Sequence, residues 1–310
     1  MIGRINSSDV LDCWVYIDIE VTLGRYLMRS LVCLLLLFSA NVWGLGPNAV
    51  CTNFHCGFFS AFNMVVGLLD AYEKGEISGI EIKLGTTGLY YDKTKGPNWW
   101  EYYFKPLSIQ ANETAARMEI EESQYITYSL RGYTEISRER GYYLTNKYIK
   151  MRPEFLKEVD TFLKRKIKNR PFVSVHYRGT DKMEKESNII SREEVVLQIK
   201  QKLFQTEKFK NIGIFVATDD QLFLDLMKQE FGNRVCYFEM KRSVDNRSIH
   251  ERREGDGYMS GKMALLDCLV LSKSHFLFRT SSNLSGVAMI LNPSLPTLLL
   301  NRAQWDRVDE

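Results

Sequence analysis

Three short polar stretches hold most of the side chains able to do chemistry in this 310-residue chain: His176-Tyr177-Arg178-Gly179-Thr180-Asp181-Lys182, Thr218-Asp219-Asp220 and Arg279-Thr280-Ser281-Ser282-Asn283. Arg178 brings a planar guanidinium that can hold two phosphate oxygens at once, which a lysine ammonium cannot do. Ser281, Ser282 and Asn283 stand directly before a predicted helix, where backbone N–H groups and the helix dipole favour an anion; an ordinary N-cap would use the same residue types. Asp219-Asp220 reads either as a helix cap assisted by Thr218 or as a carboxylate pair for Mg²⁺. Arg178 already brings the charge such a metal would supply, so no metal site is expected. The run Lys182-Met183-Glu184-Lys185-Glu186 reads by itself as solvated charge, and Asp267 as a partly buried helix carboxylate. The chain lacks both a G-x-G-x-x-G after the first strand of this half and a G-K-S/T phosphate loop, which argues against an NAD enzyme and a P-loop NTPase.

Positioning these stretches is the task of an alternating series that starts after Asn169-Arg170-Pro171. Expected strands are Phe172–Tyr177, Asn211–Ala217, Arg234–Glu239, Phe276–Arg279 and Thr297–Leu300. Expected helices are one opened by the capping box Ser191-Arg192-Glu193-Glu194 and running to Phe204, then Gln221–Phe231, Ser260–Ser272 and Leu284–Leu291. Such alternation predicts a doubly wound parallel sheet, whose ligands sit outside the carboxyl ends of the strands, and all three polar stretches fall there.

The first half reads differently. Phe58–Tyr72 is an apolar helix stopped by Gly75, Ile80–Leu84 alternates like a strand, and Arg152–Lys168 is a basic helix. Between them, Gly96 to Phe104 is a turn followed by aromatics that either pack a small domain or line an acceptor groove, packing being preferred. The expected organisation is an N-terminal extension over residues 1–49, one domain over 50–168 and a second over 169–310. Met28-Arg29-Ser30 running into Leu31–Ala40 resembles a secretory signal peptide or a short anchor, with cleavage after about Gly44 and Met28 as a candidate start. Membrane association would then run through this segment. The expected location is the ER or Golgi lumen or a membrane-anchored state, or the envelope if the source is bacterial. Cys51 and Cys56 either close a small disulfide loop or remain buried thiols, and N-x-S/T sequons occur at Asn6, Asn112, Asn246 and Asn283. A formal net charge of +3 from 41 basic and 38 acidic residues creates no field that would draw the chain to nucleic acid.

His176 to Lys182 resembles the H-x-R-R-T-D-K motif of the alpha-1,6-fucosyltransferases and the related bacterial nodulation fucosyltransferases. The likeness continues in order: Ala217-Thr218-Asp219-Asp220 for A-T-D-D, Leu266-Asp267 before Leu271-Ser272, and Phe276-Leu277 leading to Thr280-Ser281-Ser282. Cys56 to Asn63 is similar to the glycine-bearing start of the family's N-terminal domain.

The resemblance implies a GT-B type α/β fold with two Rossmann-like domains, the C-terminal one binding the nucleotide. It implies transfer of fucose from GDP-fucose to a glycan or protein hydroxyl by a single inverting displacement, with neither a metal nor another cofactor. Arg178 would contact the β-phosphate, Asp267 would accept the guanine N–H and amino donors, and Ser282 would bind phosphate beside Ser281 and Asn283. His176, Asp181, Thr218, Asp219 and Asp220 would lie near the nucleotide. Glu186, ten positions after His176, would be the base, with Lys182 matching the family's lysine. One departure stands out: the motif's second Arg is Gly179 here. That implies a different donor geometry, a compensating residue such as Arg279 or Lys262, or reduced activity. Two other functions stay open: a carbohydrate- or nucleotide-binding protein that has lost catalysis, and a transferase using another GDP-sugar.

Overall fold

The computed structural model describes residues 46–52, 57–86, 88–109, 111–120, 136–168, 170–179, 190–209, 212–245 and 256–301. Two parallel sheets organise them. Strands β1 (Asn48–Thr52), β2 (Gly79–Lys83) and β3 (Arg117–Ile120) form the first, in the order β2-β1-β3. β1 starts inside the span expected to be extension, with Asn48 to Val50 buried.

Helix α1 (Phe58–Glu73) follows β1 and is buried over most of its first three turns; Gly75, at φ +74°, ends it in the left-handed region that glycine enters without cost. The aromatic cluster is packing: Trp99, Trp100, Tyr103 and Phe104 are each at most 1% exposed, with Phe58 among their rings. Helix α2 (Arg138–Tyr148) was not foreseen, because its sequence is polar almost all round. Helix α3 (Pro153–Phe162) is shorter than expected: it passes into a π turn over Leu163–Ile167 and stops at Lys168, whose φ is +58°.

The second sheet has the order β6-β5-β4-β7-β8 and is parallel throughout: β4 (Phe172–Tyr177), β5 (Gly213–Thr218), β6 (Val235–Cys236), β7 (Leu277–Arg279) and β8 (Thr297–Leu299). The chain builds outward from β4 to β6, then returns to the other flank for β7 and β8. The order therefore reverses at β4, where a doubly wound sheet opens its crevice.

Both faces are covered. Val173, Val175 and Tyr177 of β4 join Ile214 and Val216 of β5 in a core with helices α4 (Arg192–Gln205) and α5 (Gln221–Phe231). On the other face, Phe172, Phe215 and Ala217 belong to a core shared with α1, α3, helix α6 (Gly257–Ser272) and helix α7 (Asn283–Leu291). This second core is continuous between the two sheets. Ser191 accepts the Glu194 N–H as the capping box requires. β6 is far shorter than expected, since Gly232–Arg234 forms a 3₁₀ turn and the carbonyls of Phe238 and Met240 accept from the Arg242 guanidinium.

Candidate functional site

The site begins where β4 ends. Period-two alternation turns Tyr177 toward α5, where its ring stacks on Phe223 at 4.2 Å, and leaves His176 and Arg178 for the opposite side. The Arg178 backbone N–H donates to Thr280 Oγ1 at 2.9 Å, while the Thr280 N–H donates to the His176 carbonyl at 2.9 Å. Two strand ends are thereby tied together. Arg178 Nη1 lies 2.9 Å from Asp219 Oδ2, and the Gly179 N–H donates to Asp219 Oδ1 at 3.2 Å. Thr218 Oγ1 donates to the Tyr177 carbonyl and accepts the Asp220 N–H.

Helix α6 closes the space beyond these ends. Asp256 caps it by accepting the Met259 N–H. Gly257 and Gly261, one turn apart, press against the first half: a Cβ on Gly257 would come within 2.8 Å of the Leu89 and Tyr91 carbonyls, and one on Gly261 would collide with Tyr103. With that side packed, Met259, Ser260, Met263, Ala264 and Asp267 form a stripe at helical spacing that faces His176 and Arg178 across a cavity of about 310 Å³. Asp267 is 5% exposed, and burial pushes its carboxyl up to about 7, with the Arg242 guanidinium pulling the other way. The mixture suits a planar heterocycle: apolar walls of Met and Ala, one buried carboxyl, and a guanidinium at the strand end for an anion.

His176, Arg178, Thr218, Asp219 and Asp267, five of the residues expected to bind nucleotide, thus line one cavity. Others are placed differently. Asp220 is 2% exposed, caps α5 by accepting the Phe223 N–H, and pairs with Arg192 at 2.7 Å. Ser282 is the N-cap residue of α7, with no side-chain cap bond; the Ser281 N–H donates to Asn301 Oδ1 at 2.8 Å. The Asn283 amide bonds to Ser60 and Asn63 of α1, clasping the two halves together. That engagement, with Ser285 fully buried, leaves the Asn283 sequon closed to modification. Asn112 holds Thr114 in a local turn.

Cys51 is a buried free thiol. Asp181, Lys182 and Glu186 lie outside the described residues, as do Cys56, Asn6, Asn246 and the segment resembling a signal. Among the described residues no helix is long and apolar enough to cross a membrane, and no three His, Cys, Asp or Glu side chains gather as metal ligands would.

Sequence reasoning missed the 239–242 loop and the α6 stripe. Glu239, Met240 and Lys241 line the cavity, and Arg242 pins that loop by donating to the carbonyls of Thr218, Met240 and Phe238. The signal for α6 was present in the paired Gly257/Gly261 and Met259/Met263. The loop left none, because nothing in Glu239-Met240-Lys241-Arg242 shows which side chain is buried.

Residues 143–291 match the family model for alpha-(1,6)-fucosyltransferase N- and catalytic domains. No curated protein matches the sequence. The fold is similar to NodZ alpha-1,6-fucosyltransferase soaked with GDP-fucose, with a TM-score of 0.53 and 14% identity over 80% of this chain and 93% of that one. NodZ from Bradyrhizobium gives a TM-score of 0.53 at 13% identity, covering 82% of this chain and 96% of that one. POFUT1 in complex with GDP-fucose gives 0.51 at 9% identity, covering 82% and 97%. At such identities these likenesses concern the fold: an α/β architecture of parallel sheets, as in GT-B fucosyltransferases. The match to the alpha-(1,6)-fucosyltransferase family model, a family of glycosyltransferases, runs from within α2 to the end of α7 and takes in β4, β5, β7 and α6, the elements that line and frame the cavity.

Proposed function

We propose that the cavity binds the nucleotide of a GDP-sugar, GDP-fucose first, and that the chain transfers the sugar to a glycan or protein hydroxyl with inversion and without a metal ion. One observation carries this reading: His176, Arg178, Thr218, Asp219 and Asp267, drawn from β4, β5 and α6, line a single cavity at the point where the sheet order reverses. The buried Asp267 carboxylate accepts the guanine N–H and amino donors. Arg178 and the α7 N-terminus hold the departing diphosphate, whose charge grows in the transition state. Arg178 must then share its guanidinium between phosphate and Asp219. Glu186 removes the acceptor proton, and residues 50–168 supply the acceptor side. The N-terminal segment directs the chain to a lumen or anchors it at a membrane; the N-terminal mass of the secreted or membrane-bound protein would read cleavage near Gly44.

Hydrolysis of GDP-fucose, scored against GDP-mannose, tests the activity. Wild type should prefer GDP-fucose and keep its rate in EDTA, while Glu186→Gln loses roughly a hundred- to ten-thousand-fold in turnover with GDP affinity nearly unchanged. An EDTA-abolished rate restored by Mg²⁺ would overturn the metal-free account.

A second reading has its own support. Gly179 sits where a side chain cannot: a Cβ there would strike the Tyr177 ring and come within 2.6 Å of Asp220 Oδ2. A site built around that glycine suits a protein that binds nucleotide or carbohydrate without turnover, and GDP binding with no hydrolysis or transfer of any GDP-sugar would establish it.

A further inference from the structure

A diphosphate leaving group needs compensating positive charge that is fixed before the reaction, and one guanidinium shared with a carboxylate supplies only part of it. Arg178 and Asp219 neutralise each other at 2.9 Å. The position after Arg178 cannot contribute, because Tyr177 and Asp220 fill the space a side chain at 179 would take. The two compensating residues expected from the sequence stand elsewhere. Lys262 reaches Glu158 at 2.8 Å, Arg279 is buried on β7, and neither lines the cavity.

Among the described residues, the cavity wall carries one other lysine or arginine, Lys241. Its loop is stitched to the strand end that bears Asp219. Arg242 Nε donates to the Thr218 carbonyl at 3.1 Å, the Ser243 N–H donates to the Asp219 carbonyl at 2.8 Å, and the Gln221 N–H donates to the Ser243 carbonyl at 2.9 Å. A lysine on a loop held by five such bonds, two more being those from Arg242 to Phe238 and Met240, keeps its backbone still while its long, exposed side chain lies along the cavity wall, within the reach of a bound phosphate.

We propose that Lys241 is the second diphosphate-binding cation of this site, presented from the 239–242 loop instead of from the position after Arg178. This rests on the reading of the cavity as a GDP-sugar site.

Calorimetry on the full chain with GDP and with GMP separates the two claims, since a residue on the β-phosphate distinguishes these ligands. Lys241→Ala should weaken GDP binding about tenfold or more, leave GMP within about twofold and keep the wild-type melting temperature; Lys241→Arg should recover most of the loss. Lys262→Ala should change neither ligand. Wild type binding GDP with Lys241→Ala at an unchanged GDP-to-GMP ratio would overturn the Lys241 assignment alone. Failure of wild type to bind GDP at all would overturn the donor reading beneath it.

Discussion

The two sides of the second sheet end in guanidinium–carboxylate pairs that look alike and serve different purposes. On the α6 side, Arg178 and Asp219 line a cavity; on the α4–α5 side, Asp220 is buried and pairs with Arg192 in the first turn of α4. Asp219 and Asp220 are neighbours in sequence, yet one faces an open site and the other caps a helix. Both carboxylates have their two oxygens engaged, Asp219 by the Gly179 N–H and Arg178 and Asp220 by the Phe223 N–H and Arg192, so what separates them is that Asp219 lines the cavity while Asp220 is 2% exposed. The same residue type thus divides into chemistry on one side and stability on the other, as the alternation of strand faces dictates.

The contrast breaks most sharply at Arg178. Its replacement by Ala should lower kcat/KM for GDP-fucose by roughly a hundred- to a thousandfold and weaken GDP binding too, while urea unfolding moves by less than about 1 kcal/mol. A loss of stability as large as the loss of activity would erase the distinction between the two pairs.

Asp220→Ala should do the reverse. Loss of the cap and an unpaired Arg192 should cost about 2–3 kcal/mol in denaturant unfolding, with the GDP-to-GMP affinity ratio held. Gly179→Ala tests the space between the two pairs: the added methyl overpacks Tyr177 against Asp220 and should cost about 1–2 kcal/mol, read as a lowered melting temperature.

The smallest effect concerns Asp267, whose burial raises its carboxyl to about 7. Guanine recognition needs the ionised form, so GDP affinity should fall about tenfold per pH unit below 7 and level off above it. Stability runs the opposite way. A carboxyl raised on folding favours the native state at low pH, and that contribution fades as pH rises from the unfolded value near 4 through about 7. Asp267→Asn should flatten both profiles; a GDP affinity independent of pH between 5.5 and 8 in wild type would remove Asp267 from the base site.

Much of the sheet was legible because strands buried on both faces are written as short apolar runs, and Phe172–Tyr177 is observed over the span expected of it. The three polar stretches announced themselves by interrupting that pattern at strand ends. The first half was harder to read. β1 hides beside an apolar segment, α2 is polar, and the basic run Leu163–Ile167 carries nothing that marks a π turn.

The sequence by itself determined the alternation of strands and helices, the order of its motifs and the presence of glycine at 179, because each depends on neighbours a few residues apart. Only the tertiary structure decided that Asp219 faces a cavity while Asp220 caps a helix. It also turned Asn283 toward α1 and placed Lys241 on the cavity wall held by Arg242. Those outcomes depend on residues 24 to 223 positions apart being brought within hydrogen-bond reach, as with Arg242 and Thr218 or Asn283 and Ser60, and the burial that sets the charge of Asp267 exists only once α6 has docked.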